Sequence, residues 1–128
     1  MRERVSLIDQ TGVLHMSDWM SHAGSGILPG SPIIITLHSP REKIWGVLLQ
    51  LSPSGVYLRG IDLNTFEDWL RMIVRGERNI GLTTAFFPMW RIERASLDET
   101  VDDIPSMADR FYERVGMTIE EYLQSPAE

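Results

Sequence analysis

The chain has 128 residues, 43% of them hydrophobic, no cysteine and a formal net charge of −6. That length fits one domain able to bury its own core, and the missing thiols exclude disulfides, thiolate metal sites and cysteine nucleophiles. Ten Lys/Arg against nine Asp/Glu leave residues 1–96 at +1, while two Arg against nine Asp/Glu leave residues 97–128 at −7, so the acidic C-terminal quarter opposes phosphate binding by the whole chain without excluding a basic patch on the body.

Residues 1–16 read as a possible N-terminal tail or weak hairpin, and residues 1–15 are expected to be dispensable for folding. Their apolar stretch is too short and too interrupted for a signal peptide, and no run approaches the roughly 20 apolar residues of a membrane span. With the absence of cysteine, this gives a cytoplasmic expectation. Met16 precedes a helix-start signal and is a candidate alternative initiator. Ser17 is an N-cap for a short helix over residues 18–23, with Asp18 favourable at its start. Gly24, Ser25 and Gly26 stop that helix, and Pro29, Gly30, Ser31 and Pro32 turn the chain into the next element.

Three strands are predicted over residues 33–38, 43–51 and 55–61, with two more over 82–87 and 90–98. The turns at Ser39-Pro40-Arg41-Glu42 and Ser52-Pro53-Ser54-Gly55 are short, which demands antiparallel pairing. Gly46 and Gly60 fall inside strands, where glycine permits a sharp bend. Between the third and fourth strands, residues 64–75 read as a helix. Asn64 and Glu67 supply its cap, Phe66, Trp69, Leu70 and Ile73 its apolar stripe, Glu67 and Arg71 an i,i+4 pair, and Gly76 its stop. The stripe is expected to cover an open end of a barrel. Pro88 breaks the last long extended run into two strands around a corner. Residues 99–103 form an acidic linker. A helix follows with Met107, Ala108, Phe111, Tyr112 and Val115 on one face and Gly116 as its stop. Thr118 and Glu121 then repeat the capping-box spacing before a short helix ending near Gln124.

Little in this order carries chemistry. His15, Asp18 and His22 fall at i, i+3 and i+7, a spacing open to a divalent cation, but polar side chains facing solvent are the simpler reading, and no metal site and no cofactor is expected. The loop over residues 24–30 lacks the strand before it and the helix within it that a phosphate cradle needs. His38 and Ser39 are sequence neighbours and cannot form a triad from opposite faces of a strand. Asp98, Glu99, Asp102 and Asp103 sit where burial is not expected, so nothing raises a carboxyl pKa for acid–base work. No catalytic residue is assigned. The candidate RNA-binding residues are Arg41 and Lys43 at a hairpin tip, Tyr57 and Arg59 on one strand face, and Arg91; arginine beside an aromatic ring is a recurrent single-strand pairing. Trp45 and Trp90 read as core or interface residues.

A helix followed by five strands with a sharp corner before the last resembles the Sm-like fold of RNA-binding rings. Gly46-Val47-Leu48-Leu49 through Leu58 stands where that family's first motif has its strand glycine and alternation, and Phe87-Pro88-Met89-Trp90-Arg91-Ile92 is similar to the corner of its second motif. The resemblance covers roughly residues 17–97. The chain departs from it at Ser52–Gly55, where the family's Asp and Asn are replaced, and in the inserted helix and acidic extension. SH3-like barrels and small bacterial barrel proteins are similar too. The resemblance implies ring-type assembly through strand edges. The resulting expectation is one α+β domain over residues 1–128: a five-stranded Sm-like or SH3-like β-barrel over residues 17–98, with an inserted helix at 64–75 and an acidic C-terminal helical pair over 99–128. The function expected of it is a non-catalytic interaction module that forms a homo-oligomer or binds a protein partner, away from membranes. An RNA-binding Sm-like oligomer is the alternative, opposed by the acidic charge.

Overall fold

The computed structural model describes residues 27–77 and 80–124. The expected tail, the helix over residues 18–23, His15 and His22 lie outside the described residues. Five strands, β1 (Pro32–Leu37), β2 (Glu42–Ser52), β3 (Gly55–Asp62), β4 (Thr83–Pro88) and β5 (Ile92–Leu97), form one antiparallel sheet in the order β4-β3-β2-β1-β5. Three helices accompany it: α1 (Phe66–Arg75), α2 (Met107–Val115) and α3 (Ile119–Gln124).

The strand order carries the first correction. A closed barrel was expected, but no ladder joins β4 to β5 among the described residues, and the sheet is open between them. The cause lies at the corner. Pro88 ends β4 with φ −65°, offering no N–H. The chain then makes a 3-10 turn over Met89–Arg91, which delivers β5 to β1 rather than back along β4. The same turn takes Trp90 and Arg91 out of the last strand.

The sheet is nevertheless strongly curled. Ile33, Ile35, Leu37, Leu48, Val56 and Leu58 are all 2% exposed or less, and among the described residues the partly buried apolar side chains packed against them are Ile27 and residues of the edge strands. Phe87 near the end of β4 and Ile92 and Leu97 of β5 pack against this one cluster from the two opposite edges. Gly46 and Gly60 face each other across the β2–β3 ladder. A Cβ on Gly46 would lie 2.5 Å from the Arg59 carbonyl oxygen, and one on Gly60 2.3 Å from that of Trp45. The strands therefore cross there at a separation only glycine allows.

The opposite face carries the helices. Trp45, Val47 and Ile61 from the sheet meet Phe66, Trp69 and Leu70 of α1, Phe111 of α2 and Ile119 of α3. Trp45 meets the Phe66 ring edge-on with centroids 5.3 Å apart, and Trp69 stacks on Phe111 at 5.2 Å. The α1 stripe thus covers a sheet face rather than a barrel end. Its start also differs from expectation. Asp62 caps a preceding 3-10 turn (Leu63–Thr65) by accepting from Asn64 N–H at 2.7 Å, and Thr65 precedes α1 without a side-chain cap bond. Glu67 does not pair with Arg71. It bridges to Arg110 and Arg114 of α2, and Arg71 pairs with Asp68. Gly76 and Gly116 close α1 and α2 at φ 78° and 90°. Thr118 and Glu121 form the anticipated box, Thr118 N–H donating to Glu121 Oε1 at 2.9 Å and Glu121 N–H to Thr118 Oγ1 at 3.1 Å.

Candidate interaction surface

Tyr57, Arg59 and Ile61 alternate along β3 with Val56, Leu58 and Gly60, so they point to the helix face. Ile61 is covered by the helices, whereas Tyr57 and Arg59, further along the strand, are exposed. Register places Gln50 of β2 and Phe86 of β4 on either side of Tyr57. Tyr57 and Phe86 are in ring contact at 4.8 Å while remaining 43% and 41% exposed. Beside Gln50, the β2 ladder slips at a bulge that leaves Leu49 exposed. The helix face is therefore half covered, around Trp45 and Trp69, and half bare, around Tyr57 and Phe86.

The five sequence-predicted residues do not form one surface. Arg59 donates to Thr84 Oγ1 at 3.3 Å, close to Tyr57. Lys43 lies four residues from Val47, the β2 partner of Arg59, hence about 13 Å away along the strand. Arg41 and Arg91 lie at the β1–β2 turn and the corner, and both are engaged. Arg41 pairs with Glu93 at 3.2 Å, and Arg91 pairs with Glu42 at 3.3 Å while also donating to the Ser39 carbonyl at 2.8 Å. Their charge is neutralised locally, which removes two of the four cations from a phosphate surface. Trp45 is wholly buried and Trp90 is 68% exposed, so the two tryptophans part company.

Among the described residues no strand pairs with the outer side of β4 or β5, and the two edges differ in chemistry. β4 presents Thr83, Thr84 and Phe86 to solvent and contains no charged residue. β5 presents Glu93, Arg94 and Ala95. The C-terminal helices pack on α1 through Phe111 and Ile119 and leave β4 itself bare.

One carboxylate mattered more than its sequence context suggested. Asp98 is 8% exposed, not part of a solvated linker. It accepts from Trp45 Nε1 at 3.0 Å, from Met107 N–H at 2.8 Å and from Ala108 N–H at 2.9 Å. It therefore anchors the start of α2 to the core of β2, where its charge also favours the positive end of the helix. Its satisfied oxygens suit a structural role. His38 Nδ1 lies 3.3 Å from Ser39 Oγ at the exposed β1–β2 turn, with no carboxylate bonded to the ring among the described residues. An open cleft of about 230 Å³ between Ile73, Gly76, Ile80 and Tyr122 is lined mainly by apolar side chains and backbone, with Glu77 at its side. Among the described residues no three His, Asp or Glu side chains converge as metal ligands, and no helix is long and apolar enough to cross a membrane. No protein-family model, curated protein or solved structure matches this chain.

Proposed function

We propose that this protein is a non-catalytic, cytoplasmic interaction module that self-associates, or captures a protein partner, through the edges of its curled sheet. The observation that carries this reading is the pair of edge strands, β4 and β5, each with one side unladdered among the described residues, at the two ends of one sheet whose core they share. Unpaired strand edges are ready templates for another chain, and proteins commonly guard them with charge. β4 carries no such guard. Two different edges on one subunit fit a head-to-tail contact, which closes into a ring when the rotation allows. The Sm-like and SH3-like resemblance agrees with that arrangement, and the shared core of β4 and β5 is what supports a barrel-like reading of the sheet.

A second reading, RNA binding, is favoured by one observation: Arg59 sits beside the exposed Tyr57–Phe86 pair, a stacking platform with a cation. The engaged state of Arg41 and Arg91 and the acidic C-terminal quarter weigh against it.

Light scattering across a dilution series decides the first reading. We expect a mass above that of one chain that falls on dilution, and Thr84→Lys should shift the equilibrium toward monomer with its melting temperature unchanged. A monomeric mass at every concentration, with no protein retained on the wild-type chain that Thr84→Lys releases, would sink it. Absorbance at 260 nm from co-purifying nucleic acid, lost in Tyr57→Ala, would move the assignment to RNA.

A further inference from the structure

We propose that the β4 edge pairs with β4 of a second copy, antiparallel about a two-fold axis through Ala85. The proposal rests on the edge-mediated self-association above and names which edge meets which. The first observation behind it is the direction of the backbone groups. Met89 N–H donates to the Ser54 carbonyl at 2.8 Å, one step beyond the Gly55–Pro88 pair. Hydrogen-bonded and non-hydrogen-bonded pairs alternate along an antiparallel ladder, and the register runs unbroken from Pro88 to Thr83. Phe87, Ala85 and Thr83 therefore direct their backbone groups at β3, while Pro88, Phe86 and Thr84 turn theirs outward. The Tyr57–Phe86 ring contact at 4.8 Å agrees, since side chains approach most closely at non-hydrogen-bonded pairs.

Pro88 has no N–H to offer, so the edge presents a donor together with an acceptor at Thr84 and at Phe86. Both residues lie on the helix face, opposite Arg59 and Tyr57. Opposed residues of an antiparallel pair share a face. An axis at Ala85 sets Thr84 opposite Phe86 of the second copy, and Phe86 opposite Thr84 of that copy. Every outward N–H and C=O of these residues then has a partner. An axis at Phe86 would set Thr84 opposite Pro88 of the second copy and leave the Thr84 carbonyl without a donor.

The second observation is that β5 does not match this edge. Asp98 N–H donates to the Pro32 carbonyl at 2.9 Å. The same alternation turns the backbone groups of Ala95 and Leu97 outward, and Leu97 packs on the aliphatic face. An antiparallel contact between β4 and β5 would thus join the helix face of one copy to the aliphatic face of the next. β5 also exposes Glu93 and Arg94, charge of the kind that deters edge pairing.

The third observation is what the pairing covers. Tyr57 and Phe86 are 43% and 41% exposed. With Thr84 opposite Phe86, the Phe86 rings of the two copies become diagonal neighbours, a separation that aromatic side chains bridge. Both bare ring pairs therefore gather over the axis. β4 brings no charge to oppose its own copy. Ala85, at the axis, has the smallest side chain of the strand, where the two backbones come closest, about 4.5 Å between Cα atoms.

The test uses the full-length chain, which has no native thiol. In Ala85→Cys the two thiols meet across the axis at a separation that a disulfide spans, whereas in Thr84→Cys the Cα atoms lie about 8 Å apart, beyond its reach. At concentrations where light scattering shows wild type to be associated, we expect mild oxidation to convert most of Ala85→Cys into a covalent dimer, and only a small fraction of Thr84→Cys. An associated sample in which Ala85→Cys cross-links no better than Thr84→Cys would overturn the two-fold contact and leave association through edges standing. Cross-linking of Ala85→Cys to an Ala95→Cys chain in preference to itself would assign the contact to β5 and overturn the proposal. A wild-type chain that is monomeric at every concentration removes the self-association itself, and the proposal with it. If Ala85→Cys does not fold, the wild-type chain decides. In a mixture of ¹³C-labelled and unlabelled protein, an isotope-filtered NOE between the Thr84 methyl group and the Phe86 ring is expected, and its absence from an associated sample overturns the register.

Discussion

The two faces of this sheet bury comparable sets of side chains by different means. The helix face is aromatic: Trp45, Phe66, Trp69 and Phe111 meet ring to ring, and α1 and α2 bring their rings to Trp45 of β2. The other face is chiefly aliphatic and is closed by the sheet's own curl, with Phe87, Ile92 and Leu97 reaching in from the two edge strands. Rings need partners at particular angles and somewhere to put their N–H groups. β-branched and leucine side chains need only shape and volume. One core is thus specified by the Asp98 anchor on Trp45 and by helix register, the other chiefly by strand curvature.

That contrast can be broken most forcefully at Trp69. The side chain is fully buried and touches Trp45, Phe66, Phe111 and Tyr122, so Trp69→Ala should cost about 3–5 kcal/mol in denaturant unfolding. Partner capture lost with an unchanged melting transition would instead make Trp69 a binding residue. Asp98→Asn comes next. It replaces a carboxylate that accepts three N–H donors, and hydrogen bonds to charged groups are strong enough that a loss of about 2–3 kcal/mol is expected. Hydrogen exchange at the Trp45 indole should accelerate in that variant, and an unchanged rate would show that the indole is held by packing alone. On the aliphatic face, Ile35→Val removes one methylene from a fully buried side chain and should cost about 1 kcal/mol. If the faces are separate cores, its effect should add to that of Trp69→Ala within about 0.5 kcal/mol. The smallest effect is expected from Glu67→Gln. Its bridges to Arg110 and Arg114 are solvent-accessible, so the loss should be below about 1 kcal/mol and should shrink further in high salt.

Local signals in the sequence were legible and long-range ones were not. The first four strands, the stop at Gly76, the stop at Gly116 and the Thr118–Glu121 box depend on residues within a turn of each other, and each sits within a residue or so of where the pattern placed it. Asp98 could not be read, because the partner that explains its burial, Trp45, lies 53 positions away. The partners of Arg41 and Arg91 could not be read for the same reason: Arg41 finds Glu93 across 52 positions, and Arg91 finds Glu42 across 49. The open sheet was hidden in a three-residue detail, since a corner at Pro88 is visible in the sequence but the 3-10 turn after it, which decides where β5 goes, is not. The candidate surface was half legible. Tyr57 and Arg59 follow from strand alternation, whereas Phe86 joins them only through the β3–β4 register.

The three bonds to Asp98 also bear on how this chain can be divided. A boundary after the last strand, where an acidic linker seems to begin, would sever a carboxylate from two of its three donors and strip Phe111 and Ile119 from the aromatic core. The C-terminal helices are therefore not a detachable appendage. A fusion, truncation or split reporter built on this protein has no usable junction between β5 and α2, because the turn closed by the Val101–Ile104 bridge, despite its exposure, joins two elements tied together through Asp98.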